Sequence, residues 1–254
     1  MATVNTLIAP KTLIQALLIF SLVLLVISST LGLTIAAIGM EESPGALITA
    51  YRFVDFDGEE NLISFFSMSL WVVVSVLCAQ VQSLARSRRE RIYWSLLAAL
   101  FIVLAMDEWL GFHEKMAPIT ADLLNITHMP FAWVVPATIG VVVFVVWTIP
   151  FMRMLPGNIS RLFLAGVTIV VAGAIGFEIP GGFAFATYTN DSAIYRGLVL
   201  IEESLEIIGV ITLLYAVYSY MIDLLSRAPS TVTASESDST ESRAGDGMET
   251  VSVR

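Results

Sequence analysis

Long apolar segments are the feature that most constrains how this chain can fold. Each is long enough to cross a bilayer, which takes roughly 18 residues or more. Six such segments run over about Leu13–Gly39, Leu62–Val81, Tyr93–Phe112, Phe131–Phe151, Leu162–Ile179 and Leu198–Ile222. A segment inside a membrane must satisfy its own backbone hydrogen bonds, and runs of this length do so as helices. The sequence therefore predicts an all-α, polytopic membrane helix bundle with about six transmembrane helices in a lipid bilayer.

Composition supports the membrane assignment and excludes several functions. Hydrophobic residues make up 57% of the chain, whereas soluble domains contain about 45–50%. The formal net charge of −9 argues against a nucleic-acid partner, because nucleic acids are bound by basic surfaces. Cys78 is the single cysteine, so an intramolecular disulfide and a thiol-rich metal site are both excluded.

Basic residues in the short loops predict the orientation of the bundle. One set of loops contains Arg86, Arg88, Arg89, Arg91, Arg153, Arg161 and Arg227. The opposite loops contain only Arg52, Lys115 and Arg196. Because Lys and Arg are enriched in cytoplasmic loops, the Arg-rich side is predicted to be cytoplasmic, with both termini on that side. We expect an integral protein of a prokaryotic cytoplasmic (inner) membrane.

Two regions of different composition divide the chain. Residues 1–225 contain the apolar segments and form the predicted bundle. Residues 226–254 are rich in Ser, Thr, Glu and Asp and lack aromatic residues, which is typical of a disordered acidic cytoplasmic tail. The run after Lys11 also fits a signal peptide. No small-x-small cleavage site follows it closely, so an uncleaved span is favoured.

Acidic residues within or beside three apolar segments are the strongest functional signal. They accompany one histidine near the ends of the third and fifth segments and the start of the sixth. The residues are Asp107, Glu108, His113, Glu114, Glu178, Glu202, Glu203 and Glu206. With alternating helix directions, all of them fall in the outer half of the membrane. Ionised carboxylates are costly in hydrocarbon, so intramembrane acids at a common depth predict a functional site that holds cations, shared protons or water.

Helical spacing determines which side chains of the third segment can meet. At about 100° per residue, Asp107 and Glu114 share one face. Glu108 and His113 flank that face on either side. All four can therefore converge only if the helix departs from regular geometry, and Gly111 is the position where it could loosen.

The sixth segment presents its acids together. Glu202, Glu203 and Glu206 fall within about a 100° arc, the spacing that brings helical side chains into contact. The fifth segment is expected to end just after Glu178, at Pro180, where freed backbone carbonyls could join the site.

Two motifs carry a resemblance to a known group. MDEWLGFHE followed by EESLEIIG resembles uncharacterised prokaryotic multi-span membrane proteins with an Asp-Glu…His-Glu motif and a later Glu-Glu-x-x-Glu motif. The resemblance covers roughly Leu62–Ile222. It implies no particular activity, but it implies that the motif residues act as one unit.

The first functional hypothesis is a cation site used for ion transport or sensing. Carboxylate oxygens suit hard divalent ions such as Ca²⁺, Mg²⁺ or Mn²⁺, and carboxylates also share protons. All eight residues of the cluster are candidate ligands. The sequence shows no acid that continues a path through the inner half of the membrane.

Two alternatives remain open. In a metal-dependent membrane enzyme, Glu202, Glu206 and His113 would hold an ion such as manganese or iron, and Asp107 or Glu108 would act as general base. Its substrate would be lipid-like or small and periplasmic. In an accessory subunit, the acids would pair with a basic partner subunit in the membrane. The sequence allows a homo-oligomer in any of these cases.

Several specific activities are excluded by missing residues. The only lysines are Lys11 and Lys115, so a retinal Schiff base has no buried lysine. The two histidines are too few for a three-histidine zinc hydrolase of the ceramidase type. The sequence also lacks a P-loop, a Gly-x-Ser-x-Gly elbow and a His-Glu-x-x-His motif.

Overall fold

A computed structural model describes residues 8–126, 131–188 and 192–227, and the regular structure within these ranges is helical. The helices are α1 (Pro10–Ile38), α2 (Gly45–Arg52), α3 (Leu62–Leu84), α4 (Arg88–Leu110), α5 (Phe112–Leu124), α6 (Val134–Met152), α7 (Gly157–Val171), α8 (Glu178–Tyr188) and α9 (Ala193–Ser226). A π-helical stretch, Ala172–Phe177, joins α7 to α8. From residue 228 onward, the predicted tail lies outside the described residues.

Five helical segments are long and apolar enough to cross a membrane. They are α1, α3, α4, α6 and the continuous segment Gly157–Tyr188 that combines α7, the π-helical stretch and α8. Within the described residues, this confirms the prediction of an all-helical chain with several helices long and apolar enough to cross a membrane. The sixth predicted segment lies within α9, which is 34 residues long.

Side-chain caps explain where two of the spans begin. The Asn61 side chain accepts hydrogen bonds from the backbone N–H groups of Ile63 and Ser64, and the Ser64 hydroxyl accepts one from the Asn61 backbone. Ser87 and Glu90 form the same reciprocal arrangement at the start of α4. Such capping boxes satisfy N–H groups that a helix leaves without partners.

Helix α9 is the central element of the bundle. It packs most extensively against α7 and α3, and it also contacts α1, α8 and the π-helical stretch. The α7 contact is close because an added Cβ at Gly209 would lie 2.7 Å from the backbone nitrogen of Val170. Small residues allow this approach.

The two ends of the bundle differ in their residues. We define the Arg-rich end by Arg86, Arg153, Arg161 and Arg227, which lie where α3, α6 and α9 end and α7 begins. The Tyr218 hydroxyl donates a 2.9 Å hydrogen bond to the carbonyl of Ile8, so the start of α1 lies near this end too. The opposite end, where α4 meets α5 and where α9 begins, is called the acidic end.

An aromatic cluster fills the bundle toward the Arg-rich end. Trp94, Phe151 and Phe163 are each at most 1% exposed. The Trp94 ring packs edge-on against Phe151 at 5.0 Å between centroids and stacks on Tyr220 at 5.7 Å. Such rings contribute large apolar contact areas, so this half holds much of the core.

The helix after Glu178 differs from the expected one. The segment does not end at Pro180, because α8 continues to Tyr188, and the prediction of a break there was wrong. Pro180 is the third residue of α8, which begins where the π-helical stretch ends. Its missing N–H therefore falls in the first turn of α8, where a proline is tolerated.

Candidate functional site

A cavity of about 410 Å³ lies between the helices at the acidic end. The residues of each surrounding helix that line it are spaced so that their side chains lie on one helical face. Examples are Leu104, Asp107 and Glu108 of α4 and Val199, Glu202 and Glu206 of α9. All eight residues singled out from the sequence line this cavity. They are Asp107, Glu108, His113, Glu114, Glu178, Glu202, Glu203 and Glu206.

A break in the helix at Gly111 allows the four motif residues of the third segment to converge. Gly111 has φ 54° and ψ 44°, the left-handed conformation that glycine adopts at low cost. It ends α4 and starts α5 at a different angle. As a result, His113 Nδ1 lies 2.9 Å from Asp107 Oδ2, and the His113 backbone N–H donates a 3.0 Å hydrogen bond to Asp107 Oδ1.

The π-helical stretch places Glu178 in the cavity wall. Glu178 is 9% exposed. Its Oε1 accepts a 2.8 Å hydrogen bond from Nε1 of Trp133, the residue that precedes α6. The Trp133 ring also packs on the His113 ring, at 4.6 Å between centroids. One tryptophan therefore links the acid of the fifth predicted segment to the histidine of the third.

Helix α9 brings the largest group of acids to the cavity. Glu202 is 7% exposed, and its carboxyl lies within hydrogen-bonding reach of Glu178. Glu206 lies one turn deeper against the π-helical stretch, where an added Cβ on Gly173 would come 2.9 Å from Glu206 Cγ. A glycine at 173 is what allows that acid to fit between the two helices.

Electrostatics at the cavity mouth are dominated by negative charge. Burial alone would lower the pKa of His113, but the hydrogen bond and charge of Asp107, with Glu114 and Glu206, raise it to about 9. Partial burial and the charges of Glu114 and Glu108 raise the pKa of Glu59 to about 7. The acids around His113 therefore favour its protonated form.

Lysine and arginine do not balance these acids at the wall itself. Nine carboxyl groups and one histidine line the cavity, and the described lining residues include neither Lys nor Arg. Arg196 is placed above the Tyr51 ring, 5.9 Å from its centroid, and acts on Asp57 from outside the wall. A cavity of this kind attracts positive charge.

The predicted metal site is not preassembled. Within residues 8–126, 131–188 and 192–227, no group of three or more His, Cys, Asp or Glu side chains has the geometry to hold a metal ion. The eight candidate ligands surround a shared space without closing on one point. Metal binding by these residues stays a prediction.

Comparison with known families places the chain by sequence. Residues 16–221 match the model of a domain of unknown function, DUF8692. The chain belongs to this family. No curated protein and no solved structure matches the chain. The matched region contains all eight candidate residues, and the first span begins six residues before it, at Pro10. The residues that line the cavity therefore lie within the part of the chain that matches DUF8692.

Sequence reasoning missed part of this DUF8692 site. Asp57 lines the cavity and accepts a 2.8 Å hydrogen bond from the Tyr195 hydroxyl. Glu59 also lines the wall, beside Gly111. Both precede α3 in a polar loop, so hydrophobicity gave no signal for them. Trp133 was not among the predicted site residues, and its contact with Glu178 joins residues 45 positions apart, so neither segment alone gave a signal for it.

Proposed function

We propose that this protein binds cations, either protons or divalent metal ions, in the acidic cavity and uses that binding for ion transport or sensing. One observation carries the proposal. Nine carboxyl groups and one histidine line a single cavity whose described wall contains no Lys or Arg. Since charges of like sign in a low-dielectric site repel one another strongly, bound cations or protons are needed to stabilise this arrangement.

Both kinds of cation suit the chemistry of the wall. Two carboxyl groups in reach of each other, such as Glu178 and Glu202, share a proton readily. Oxygen ligands also suit Ca²⁺, Mg²⁺ or Mn²⁺. A divalent ion would require several of these side chains to close around it, whereas a proton requires only one pair.

The proposed topology has six transmembrane helices, with α9 as the sixth. The Arg-rich end is cytoplasmic under the positive-inside rule, both termini are on that side, and the cavity opens outward. The hydrogen bond between Tyr218 and Ile8 supports an even number of crossings, because it brings the start of α1 near the last third of α9. The membrane would be the cytoplasmic membrane of a prokaryote.

A second function, a metal-dependent membrane enzyme, is favoured by one observation. Asp107 contacts His113 twice. Its Oδ2 lies 2.9 Å from Nδ1 of the His113 ring, and its Oδ1 accepts a hydrogen bond from the His113 backbone N–H. A carboxylate that orients an imidazole is the arrangement used to prepare a general base or a metal ligand. In this alternative, His113 Nε2 would face the reacting group.

The decisive experiment measures ion flux and ion content on the same protein. Purified protein is analysed for bound metal and then reconstituted in liposomes that report Ca²⁺, Mn²⁺ and proton movement. Glu202→Gln and Asp107→Asn should abolish the flux or the metal content. Asp122→Asn is the matched control, since Asp122 is an exposed acid on α5 that does not line the cavity.

The outcomes separate the candidates. Cation-dependent flux, or saturable cation binding without flux, supports transport or sensing respectively. Stoichiometric redox-active manganese or iron without flux favours the enzyme. Unchanged proton and metal binding in Glu202→Gln and Asp107→Asn would contradict the cation site itself.

A further inference from the structure

The cavity extends well beyond its acids. On α4 it is lined from Glu108 down to Phe101, and on α9 from Glu206 down to Leu213. Each of these intervals is seven residues, or about 10 Å at about 1.5 Å per residue. The acids thus occupy one end of a slot whose other end lies in the middle of the bundle.

The deep part of the slot is apolar on every side. Its described lining residues are Trp71, Leu100, Phe101, Leu104, Val141, Phe144, Val167, Val170 and Leu213, from five different helices. No charged group is among them. An apolar hollow without an occupant forfeits packing contacts and does not hold water well, so its natural occupant has apolar atoms.

Helix α6 forms the outer wall of this slot. It is fastened near the Arg-rich end, where Trp147 and Phe151 pack on Tyr93 at 4.9 and 5.0 Å between centroids. At the acidic end, Trp133 holds it to Glu178. Between these two attachments, Val141 and Phe144 face the slot.

A buried polar atom lies beside the acids. Ser67 is 0% exposed, and its hydroxyl has no hydrogen-bond partner among the described residues. It shares a face of α3 with Ser64 and Trp71, which both line the cavity, and it lies next to Glu108 without meeting hydrogen-bond geometry. Buried hydroxyls are rarely left unsatisfied, and the neighbouring Glu108 carboxyl is the polar group placed to satisfy this one.

We infer that the occupant is an amphipathic organic cation, a protonated amine with an apolar body, whose ammonium group lies among the carboxylates and whose hydrocarbon part fills the slot. This rests on the proposed cation site and names its ligand class. A volume of about 410 Å³ falls in the range of small-molecule pockets, about 300–1,000 Å³. A metal ion or a proton uses only the acidic end.

An amine also matches the hydrogen-bonding groups of the cavity. An ammonium group offers three N–H donors, and the wall offers carboxylate oxygens that accept them. The aromatic rings of Trp133 and Phe131 line the same end and present faces that attract organic cations. The carboxylate of a fatty acid or an anionic lipid headgroup would be repelled by the acids.

The test uses full-length protein in lipid nanodiscs, with binding measured by calorimetry at neutral pH against empty nanodiscs. The probes are hexylammonium, its neutral analogue hexanol, and methylammonium, which lacks the chain. We expect hexylammonium to bind at least about tenfold more tightly than either analogue, because only it uses both ends of the slot.

A matched pair of variants tests the slot directly. Val141→Phe fills it, whereas Val142→Phe adds the same group at the neighbouring position, which is 57% exposed and does not line the cavity. Val141→Phe should weaken hexylammonium binding at least about tenfold and leave methylammonium binding unchanged. Val142→Phe should alter neither.

The failures are distinguishable. Equal affinity for hexanol and hexylammonium, or hexylammonium binding that Val141→Phe leaves intact, would overturn the amine inference. If proton or metal binding depends on Glu202 while hexylammonium does not bind, the cation site stands and the amine is wrong. If Glu202→Gln changes the binding of neither protons, metal ions nor hexylammonium, both the amine inference and the proposed function are wrong.

Discussion

The half of the bundle near the Arg-rich end and the half near the acidic end fill their interiors differently. Near the Arg-rich end, Trp94, Phe151 and Tyr220 stack into a core with little exposed surface. Near the acidic end, the same helices surround a cavity of about 410 Å³ lined by acids. Packing stabilises the first half, whereas the second carries unfavourable charge, which is typical of sites shaped by function rather than by stability.

The largest effect should come from removing a core ring. Trp94→Ala should lower the free energy of unfolding by about 3–5 kcal/mol, because it leaves a cavity that the neighbouring rings cannot fill. The measurement is equilibrium unfolding in mixed micelles. Trp133→Ala, in the acidic half, is the control and should cost clearly less, since Trp133 is only half-buried. Equal losses would contradict the difference between the halves.

Close helix contact should give the next largest effect. In Gly209→Ala, the added methyl group would approach both the backbone nitrogen and the side chain of Val170, so α7 and α9 must separate. We expect a loss of about 1–3 kcal/mol in the free energy of unfolding. At Gly140, an added Cβ meets nothing within 4 Å. Gly140→Ala should therefore be neutral or slightly stabilising, and a matching loss there would argue against the close α7–α9 contact.

The acidic half should make stability depend on pH. The pKa of His113 is raised from 6.5 to about 9, so its stabilising effect is complete below pH 6.5 and is lost as pH rises through 9. We expect about 1–2 kcal/mol, allowing for solvent screening. Unfolding measured from pH 6 to 10 should show this decline in wild type and a flatter profile in His113→Gln.

A carboxyl group with a raised pKa provides the control at lower pH. The pKa of Glu59 is raised from 4.5 to about 7, so its contribution is present below pH 4.5 and is lost as pH rises through 7. Glu59→Gln should flatten the profile in that lower window and leave the decline above pH 7. A profile above pH 7 that is the same in His113→Gln and wild type would rule out the His113–Asp107 pair as its cause.

The smallest effects should come from two matched tyrosines of α9. Tyr218→Phe removes a hydrogen bond to the Ile8 carbonyl and should cost about 1 kcal/mol. Tyr195→Phe removes the bond to the Asp57 carboxylate and should cost slightly more, because bonds to charged groups are stronger. In addition, only Tyr195→Phe should change cation or amine binding. Altered binding in Tyr218→Phe would show that the two halves are coupled.

The sequence carried enough information to place the helices and to group the acids. Length and hydrophobicity predicted the apolar segments, since a bilayer admits few alternatives. The depth of Asp107, Glu178 and Glu202 could be counted along helices of known rise. The sequence also indicated that the helix departs from regular geometry near Gly111, because regular spacing could not bring His113 and Asp107 together.

Other features depend on three-dimensional packing that no single segment encodes. A π-helical turn differs from an α-helical one by small energies, and here it accompanies the close contact of Gly173 with Glu206. Asp57 joins the site through a loop with no hydrophobic signal. The apolar slot exists only because faces of several helices stand apart, so its lining could not be recognised before the helices were assembled.

The π-helical stretch Ala172–Phe177 has a consequence for how this domain tolerates insertions and deletions. A π-helical turn contains one residue more than an α-helical turn. Each residue after Phe177 therefore faces about 100° away from the direction it would have in an uninterrupted α-helix of the same sequence. Removing one residue between Ala172 and Phe177 would turn the stretch into a regular α-helix and leave Glu178 facing the cavity, whereas straightening the stretch at its present length would rotate Glu178 by about 100°. In this part of the chain, a relative that is one residue shorter would therefore keep the same cavity wall with a regular helix.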